Sequence, residues 1–202
     1  MAKTTKERIL AKVKRASKGR LFVTNDFIET GSSEAVRKVL HELNKEEILI
    51  RVYSGVYQKP NYNAYLEMKI PAATTDIAEA IAKKNCWTIT PAKDMALNLL
   101  GLDTQVPNSY VFISDGPSKT IRLNDGRIIK FRHVTQRESR LSTSSALVVE
   151  AFKALGEESV TDDVLQQIKH KLSTNQINQL KKESTYSRAW IRKKIKRMDE
   201  IA

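Results

Sequence analysis

Apolar residues first recur at helical spacing between Thr5 and Ser17, where Ile9, Leu10 and Val13 form one stripe on an otherwise charged segment. Gly19 closes this helix. A second, short helix is expected after Thr24, which suits an N-cap, with Asp26 in the positive first turn; it carries Phe27 and Ile28 and stops at Gly31. Ser32 then caps a third helix running to about Lys45, whose apolar positions Ala35, Val36, Val39, Leu40 and Leu43 repeat at intervals of three and four. Beyond it the period changes to two. Ile48, Ile50 and Val52 alternate with Leu49 and Arg51, Tyr53-Ser54-Gly55 interrupts, and Val56-Tyr57 resumes, which is a hairpin pattern with glycine at the turn. Pro60 and the polar run Asn61-Tyr62-Asn63 read as a linker.

A second unit begins near Pro71. Thr75 to Lys84 suits a helix and Cys86 to Thr90 a short strand. Thr90-Pro91 then has the form of an N-cap followed by proline at the first helical position, with Gly101 ending that helix. Tyr110 to Ser114 reads as a strand, and Lys119–Leu123 and Ile128–Val134 as a hairpin around Asn124-Asp125-Gly126. Ser114-Asp115-Gly116-Pro117 is a turn by composition. From Thr143 the pattern is helical to the end, in four segments. No internal repeat or low-complexity tract interrupts it.

These elements predict an α+β protein: a winged helix-turn-helix at 1–60, then a second part at 61–202 made of an α/β unit (61–150) and a helical, basic segment (151–202). Three short helices followed by a two-stranded hairpin is the winged helix order. The 202 residues carry a net charge of +12, which favours a polyanionic partner. The excess sits at the ends: 1–60 holds 13 basic and 7 acidic residues, net +6, while 61–150 is net +2 and 151–202 net +4.

A DNA reader needs one helix free to enter a major groove roughly 12 Å wide. The third helix meets that need, because turning its apolar stripe inward leaves Ser33, Arg37, Lys38 and His41 outward. Arginine forks to a guanine edge, lysine meets phosphate, and the hydroxyls and first-turn amides of Ser32 and Ser33 suit a phosphate oxygen. In the hairpin, Arg51, Tyr53 and Ser54 are placed for backbone or minor-groove contact. Glu34 and Glu42 lie near the same face and oppose phosphate there. At the far end, Arg188, Arg192, Lys193, Lys196 and Arg197 crowd a helix whose apolar stripe is Ile191, Ile195 and Met198. Its basic face suits phosphates, an acidic partner, or plain solvation.

Two segments carry a family resemblance. The run from Phe22 to Tyr57, above all Leu49-Ile50-Arg51-Val52-Tyr53-Ser54-Gly55-Val56-Tyr57, resembles the N-terminal winged domain of AbiEi-type antitoxins. Ala96-Leu97-Asn98-Leu99-Leu100-Gly101-Leu102-Asp103-Thr104-Gln105-Val106-Pro107-Asn108 resembles the helix-to-strand corner of that family, where Gly-Leu-Thr-x-Gln-x-Pro follows a helix; here Asp103 precedes Thr104. The resemblance implies the antitoxin of a type IV, abortive-infection system: a repressor of its own operon that neutralises a nucleotidyltransferase-like toxin. It extends to about Val134 and leaves 151–202 unmatched. The corner also has a purely architectural reading, with Gly101 stopping the helix and Pro107 stiffening the entry to a strand.

Catalytic patterns are sparse. His41, His133 and His170 lie far apart and Cys86 stands alone, so no metal-ligand spacing occurs. No phosphate-binding glycine loop is formed. Gly31-Ser32-Ser33 resembles the opening of a nucleotidyltransferase, but the positions where paired carboxylates should hold Mg²⁺ are His41, Glu42, Leu43 and Asn44. Asp162-Asp163 and Glu157-Glu158 fit a helix start and a loop better than a metal site. The expectation is therefore a non-enzyme with no cofactor, whose partners are duplex DNA and a cognate toxin. A single cysteine, a charged N-terminus and no apolar run near the ~20 residues that span a bilayer predict a cytoplasmic protein off the membrane. Two other readings fit the same residues: a stand-alone winged-helix regulator with a sensory C-terminal domain, and a nucleic-acid-modifying enzyme.

Overall fold

The structure, a computed structural model, describes residues 3–65, 67–105, 107 and 109–201. It is an α+β fold. Contacts divide it into two units, one of residues 1–87 with 122–127 and one of 88–121 with 128–202.

The first unit opens with helix α1 (Thr5–Arg15), fastened by a reciprocal cap in which Thr4 Oγ1 accepts from the Glu7 amide and Glu7 accepts from the Thr4 amide. Strand β1 (Leu21–Val23) follows, then a short 3-10 helix (Thr24–Thr30) and helix α2 (Ser33–Lys45). Thr24 is not the cap of the 3-10 segment. Asp26 folds back to take the Val23 amide at 2.8 Å, so Val23 holds the cap position and Thr24 already lies inside the turn. Strands β2 (Ile50–Tyr53) and β3 (Val56–Gln58) form the wing, and the sheet order is β1-β3-β2, antiparallel throughout. This is the winged helix-turn-helix arrangement, with β1 as the third strand. Ile9 and Val13 from α1, Phe22 and Phe27, and Val36, Leu40 and Leu43 from α2 share one core with Leu49 and Tyr57. The rings of Phe22 and Phe27 lie 5.5 Å apart.

The chain does not leave this unit at residue 60. Strands β4 (Tyr62–Asn63) and β5 (Met68–Lys69) form a small antiparallel ribbon where a linker is expected. Helix α3 (Thr74–Asn85) packs on β1 and β3. Gln58, a buried amide on β3, bonds the Ile70 carbonyl and the Ala72 amide, which ties the ribbon's exit to the sheet. Polar bonding across the expected boundary, together with the apolar face of α3, carries the first unit through Trp87. Cys86 is the left-handed end of α3 (φ 56°), with the Trp87 amide returning to Ala82, so no strand starts there.

The second unit holds a four-stranded sheet, β6 (Ile89–Pro91), β7 (Tyr110–Ser114), β8 (Lys119–Arg122) and β9 (Ile128–His133), in the order β6-β7-β9-β8. Thr90-Pro91 does not start a helix. Thr90 pairs with Ile113 and Pro91 with Phe112 on an edge strand, where a missing amide is tolerated. Helix α4 (Asp94–Leu100) begins later, after a turn at Lys93 (φ 55°), and ends at Gly101 (φ 74°). Strands β7 and β9 are parallel. Four helices complete the unit: α5 (Thr143–Leu155), α6 (Asp162–Lys171), α7 (Thr174–Glu183) and α8 (Ala189–Arg197). Phe152, Val148, Leu165, Ile168, Ile191 and Ile195 close their core. Val106 and Asn108 of the helix-to-strand corner lie outside the described residues.

Candidate nucleic-acid interface

Helix α2 is amphipathic enough to have one orientation. Val36, Val39, Leu40 and Leu43 are buried, whereas Ser32, Ser33, Glu34, Arg37, Lys38 and His41 are exposed. Ser32 caps the helix by accepting the Ala35 amide at 3.2 Å, so its hydroxyl oxygen is engaged and its proton is left to donate. The amides of Ser33 and Glu34, in the first turn, have no intrahelical acceptor. Arg37 lies back along the helix, donating to the Ser33 carbonyl (3.3 Å) and to Ser33 Oγ (3.0 Å). The guanidinium thus stands over the first turn, close to the amides that would meet an anion. Lys38 and His41 have no side-chain partner among the described residues.

The carboxylates expected to oppose phosphate are partly answered from α1. Lys6 reaches Glu46 at 2.7 Å and Glu42 at 3.6 Å, and the hydrogen bond to Glu46 chiefly raises the Lys6 ammonium above its ordinary pKa. Glu42 is therefore drawn toward α1. Glu34 stays exposed on the first turn of α2.

The wing is fastened to the helix. The Arg51 amide donates to Asn44 Oδ1 at 2.8 Å, so the last turn of α2 sets the start of β2, while the Arg51 side chain stays exposed. At the wing tip Gly55 takes φ 71°, a left-handed turn that suits glycine. Lys84 of α3 donates to the Ser54 carbonyl at 2.8 Å, and its ammonium lies 5.9 Å from the centre of the Tyr53 ring. Tyr53 is half-buried and Ser54 exposed. Asn44 and Lys84 were not among the expected site residues. Asn44 carries the one local hint, a polar residue in the last turn of an amphipathic helix; Lys84 stands 30 residues from Ser54, and no local pattern connects them.

The basic residues of α8 belong to the second unit. Arg188, Arg192, Lys193 and Lys196 are exposed on a helix whose Ile191, Ile195 and Met198 are buried. Arg197 is already engaged, gripping Asp162 with two bonds of 2.6 Å. That hydrogen-bonded pairing holds the Asp162 carboxyl below its usual range and raises Arg197. Lys194 donates to the Val160 carbonyl at 2.6 Å. All five expected phosphate contacts are thus exposed, and Arg197 alone among them is paired with a carboxylate among the described residues.

Among the described residues, no group of three or more His, Cys, Asp or Glu side chains is placed to hold a metal ion. No helix there is long and apolar enough to cross a membrane. The model of a family of unknown function, DUF6088, matches residues 8–180. No curated protein matches the chain.

Proposed function

We propose that this chain, which belongs to the DUF6088 family of unknown function, binds duplex DNA through α2 and the wing and represses transcription by doing so. One observation carries the reading: a helix with a buried apolar stripe presents Ser33, Arg37, Lys38 and His41 to solvent, with the wing tied to its last turn through Asn44 and Arg51. The +12 net charge supports a polyanionic partner and long-range attraction to it. In this assignment Arg37 and His41 meet base edges, Lys38 and the first-turn amides meet phosphate, and Arg51, Tyr53 and Ser54 line the neighbouring backbone. The exposed cations of α8 supply further phosphate contacts.

The resemblance to AbiEi-type antitoxins completes the proposal. The DNA bound is the promoter of the chain's own operon, and the second unit neutralises a nucleotidyltransferase-like toxin encoded beside it. Residues 88–202 contain that unit whole, together with the 122–127 segment of the first unit, so neutralisation is assigned to 88–202 rather than to 61–202. Co-expression of residues 88–202 with the adjacent reading frame tests this. Relief of toxicity without promoter repression is expected. A stable 88–202 fragment that gives no protection, beside a protective full-length chain, places neutralisation elsewhere.

A further inference from the structure

Helices α6 and α7 of the second unit are joined by only two residues, Leu172 and Ser173. Ser173 starts α7 with a reciprocal cap: its hydroxyl accepts the Gln176 amide at 3.3 Å, and the Gln176 side chain accepts the Ser173 amide at 2.9 Å. Leu180, buried in the second core, fixes which side of α7 turns inward. The outward side is a row of Asn175, Asn178, Gln179 and Lys182, all exposed, at intervals of three and four along one open surface.

No contact within the described residues explains that composition. Asparagine is among the poorer helix formers, and a merely solvated row favours Ala, Glu or Lys. Gln176 serves the cap, and Gln179 donates to Glu183 at 3.0 Å. The carboxamides of Asn175 and Asn178 and the ammonium of Lys182 have no partner among the described residues. A carboxamide sets an acceptor beside a donor, and adenine presents the matching edge in the major groove, with N7 accepting and N6 donating. The surroundings are cationic: His170 and Lys171 stand exposed at the end of α6, and residues 151–202 carry a net +4. The nearby carboxylates are engaged. Glu183 also accepts the amide and hydroxyl of Ser142, each at 2.9 Å, and Asp199 pairs with Lys181. Asn175 and Asn178 lie roughly 4.5 Å apart along the helix axis, close to the ~3.4 Å step between base pairs. The deep, narrow major groove of duplex RNA is closed to side chains, so the matching duplex is DNA.

We propose that α7 is a second DNA-reading helix: Asn175 and Asn178 bind the major-groove edges of two neighbouring adenines, and Lys171 and Lys182 hold the flanking phosphates. This rests on the reading that the chain binds its own promoter duplex, and extends it. The second unit then reads sequence, where the cations of α8 supply phosphate contacts alone.

The test uses the full chain and the duplex upstream of its own reading frame, with each adenine replaced in turn by 7-deazaadenine, which pairs normally but lacks N7. Each replacement at a contacted adenine should weaken binding about five- to tenfold, read by fluorescence anisotropy. Asn175→Ala and Asn178→Ala should each bind more weakly and lose the sensitivity at one adenine, leaving the salt dependence unchanged. Lys182→Gln should instead lower the slope of log affinity against log salt by roughly one unit. Alanine is the better helix former, so the urea midpoint of Trp190 emission should hold or rise in the two asparagine variants. Folded asparagine variants that keep every adenine sensitivity overturn the proposal. If they also lose protection against the adjacent toxin, the face belongs to a protein partner. Adenine contacts that disappear with Arg37→Ala but not with the asparagine variants refute the α7 assignment alone. The converse refutes the α2 assignment alone, and a chain that binds no duplex refutes both.

Discussion

Replacing Gly55 by alanine probes the wing tip through two separable terms. The backbone there has φ 71°, and a Cβ built on it meets Lys84 Cε at 3.0 Å and Nζ at 3.2 Å. Holding alanine in the left-handed region costs about 1 kcal/mol. The contact is with the flexible end of a lysine, so the lysine moves rather than the backbone. Moving it sacrifices the bond from Lys84 Nζ to the Ser54 carbonyl, an exposed interaction of about 0.5–1 kcal/mol. The expected total for Gly55→Ala is roughly 2 kcal/mol. In a Lys84→Ala background the contact and the bond are already gone, so the same substitution should cost only about 1 kcal/mol. The chain has two tryptophans, Trp87 in the first unit and Trp190 in the second. Urea unfolding followed by Trp87 emission in a Trp190→Phe background therefore reports this unit. Equal costs in the two backgrounds would refute the close approach of α3 to the wing tip.

Other consequences are open to direct measurement. Phe152 is fully buried in the second core, and Phe152→Ala should destabilise that unit by about 3–5 kcal/mol, read as the urea midpoint of Trp190 emission. Glu183 accepts the amide and hydroxyl of Ser142, each at 2.9 Å; burial raises its pKa, but the bonds from Ser145 and Ser142 outweigh it and the net shift is downward. A depressed folded pKa gives stability that is present above the ordinary glutamate value and lost as pH falls through the folded one. The urea midpoint of the second unit should thus drop as the pH falls below the ordinary glutamate value, and Glu183→Gln should flatten that drop. Replacing Arg188, Arg192, Lys193 and Lys196 with glutamine, leaving the Arg197–Asp162 pair intact, should reduce the salt dependence of duplex binding by roughly one unit of slope per lost phosphate contact. An unchanged slope removes α8 from the DNA.

The elements that were legible in the chain are those with a local signal. Helix α2 shows its cap at Ser32 and its stripe in the spacing of Val36, Val39, Leu40 and Leu43. The β8–β9 hairpin shows its turn in Asn124-Asp125-Gly126, and α8 its narrow stripe in Ile191, Ile195 and Met198. Elements that depend on distant partners were hidden. Strand β1 has three residues, too few for a period, and exists because Leu21–Val23 pairs with Val56–Gln58. Thr90-Pro91 has the residues of a helix start, but the ladder to Phe112 and Ile113 prevails over that local preference. The parallel pairing of β7 with β9 leaves no mark in either strand's alternation. For the candidate site, the outward face of α2 was legible from periodicity alone. The Asn44 and Lys84 ties and the pairing of Arg197 with Asp162 were not, since each joins residues brought together only by the fold.

Whether α2 reads DNA is decided by the affinity of the Arg37→Ala/Lys38→Ala double variant for the duplex upstream of its own reading frame. Both side chains are exposed and off the apolar stripe, so the circular dichroism spectrum and urea midpoint should match the parent. Fluorescence anisotropy at fixed salt should show binding weakened by roughly 2–5 kcal/mol. Undiminished affinity in a folded double variant would exclude α2 as the reading helix and assign DNA binding to another surface.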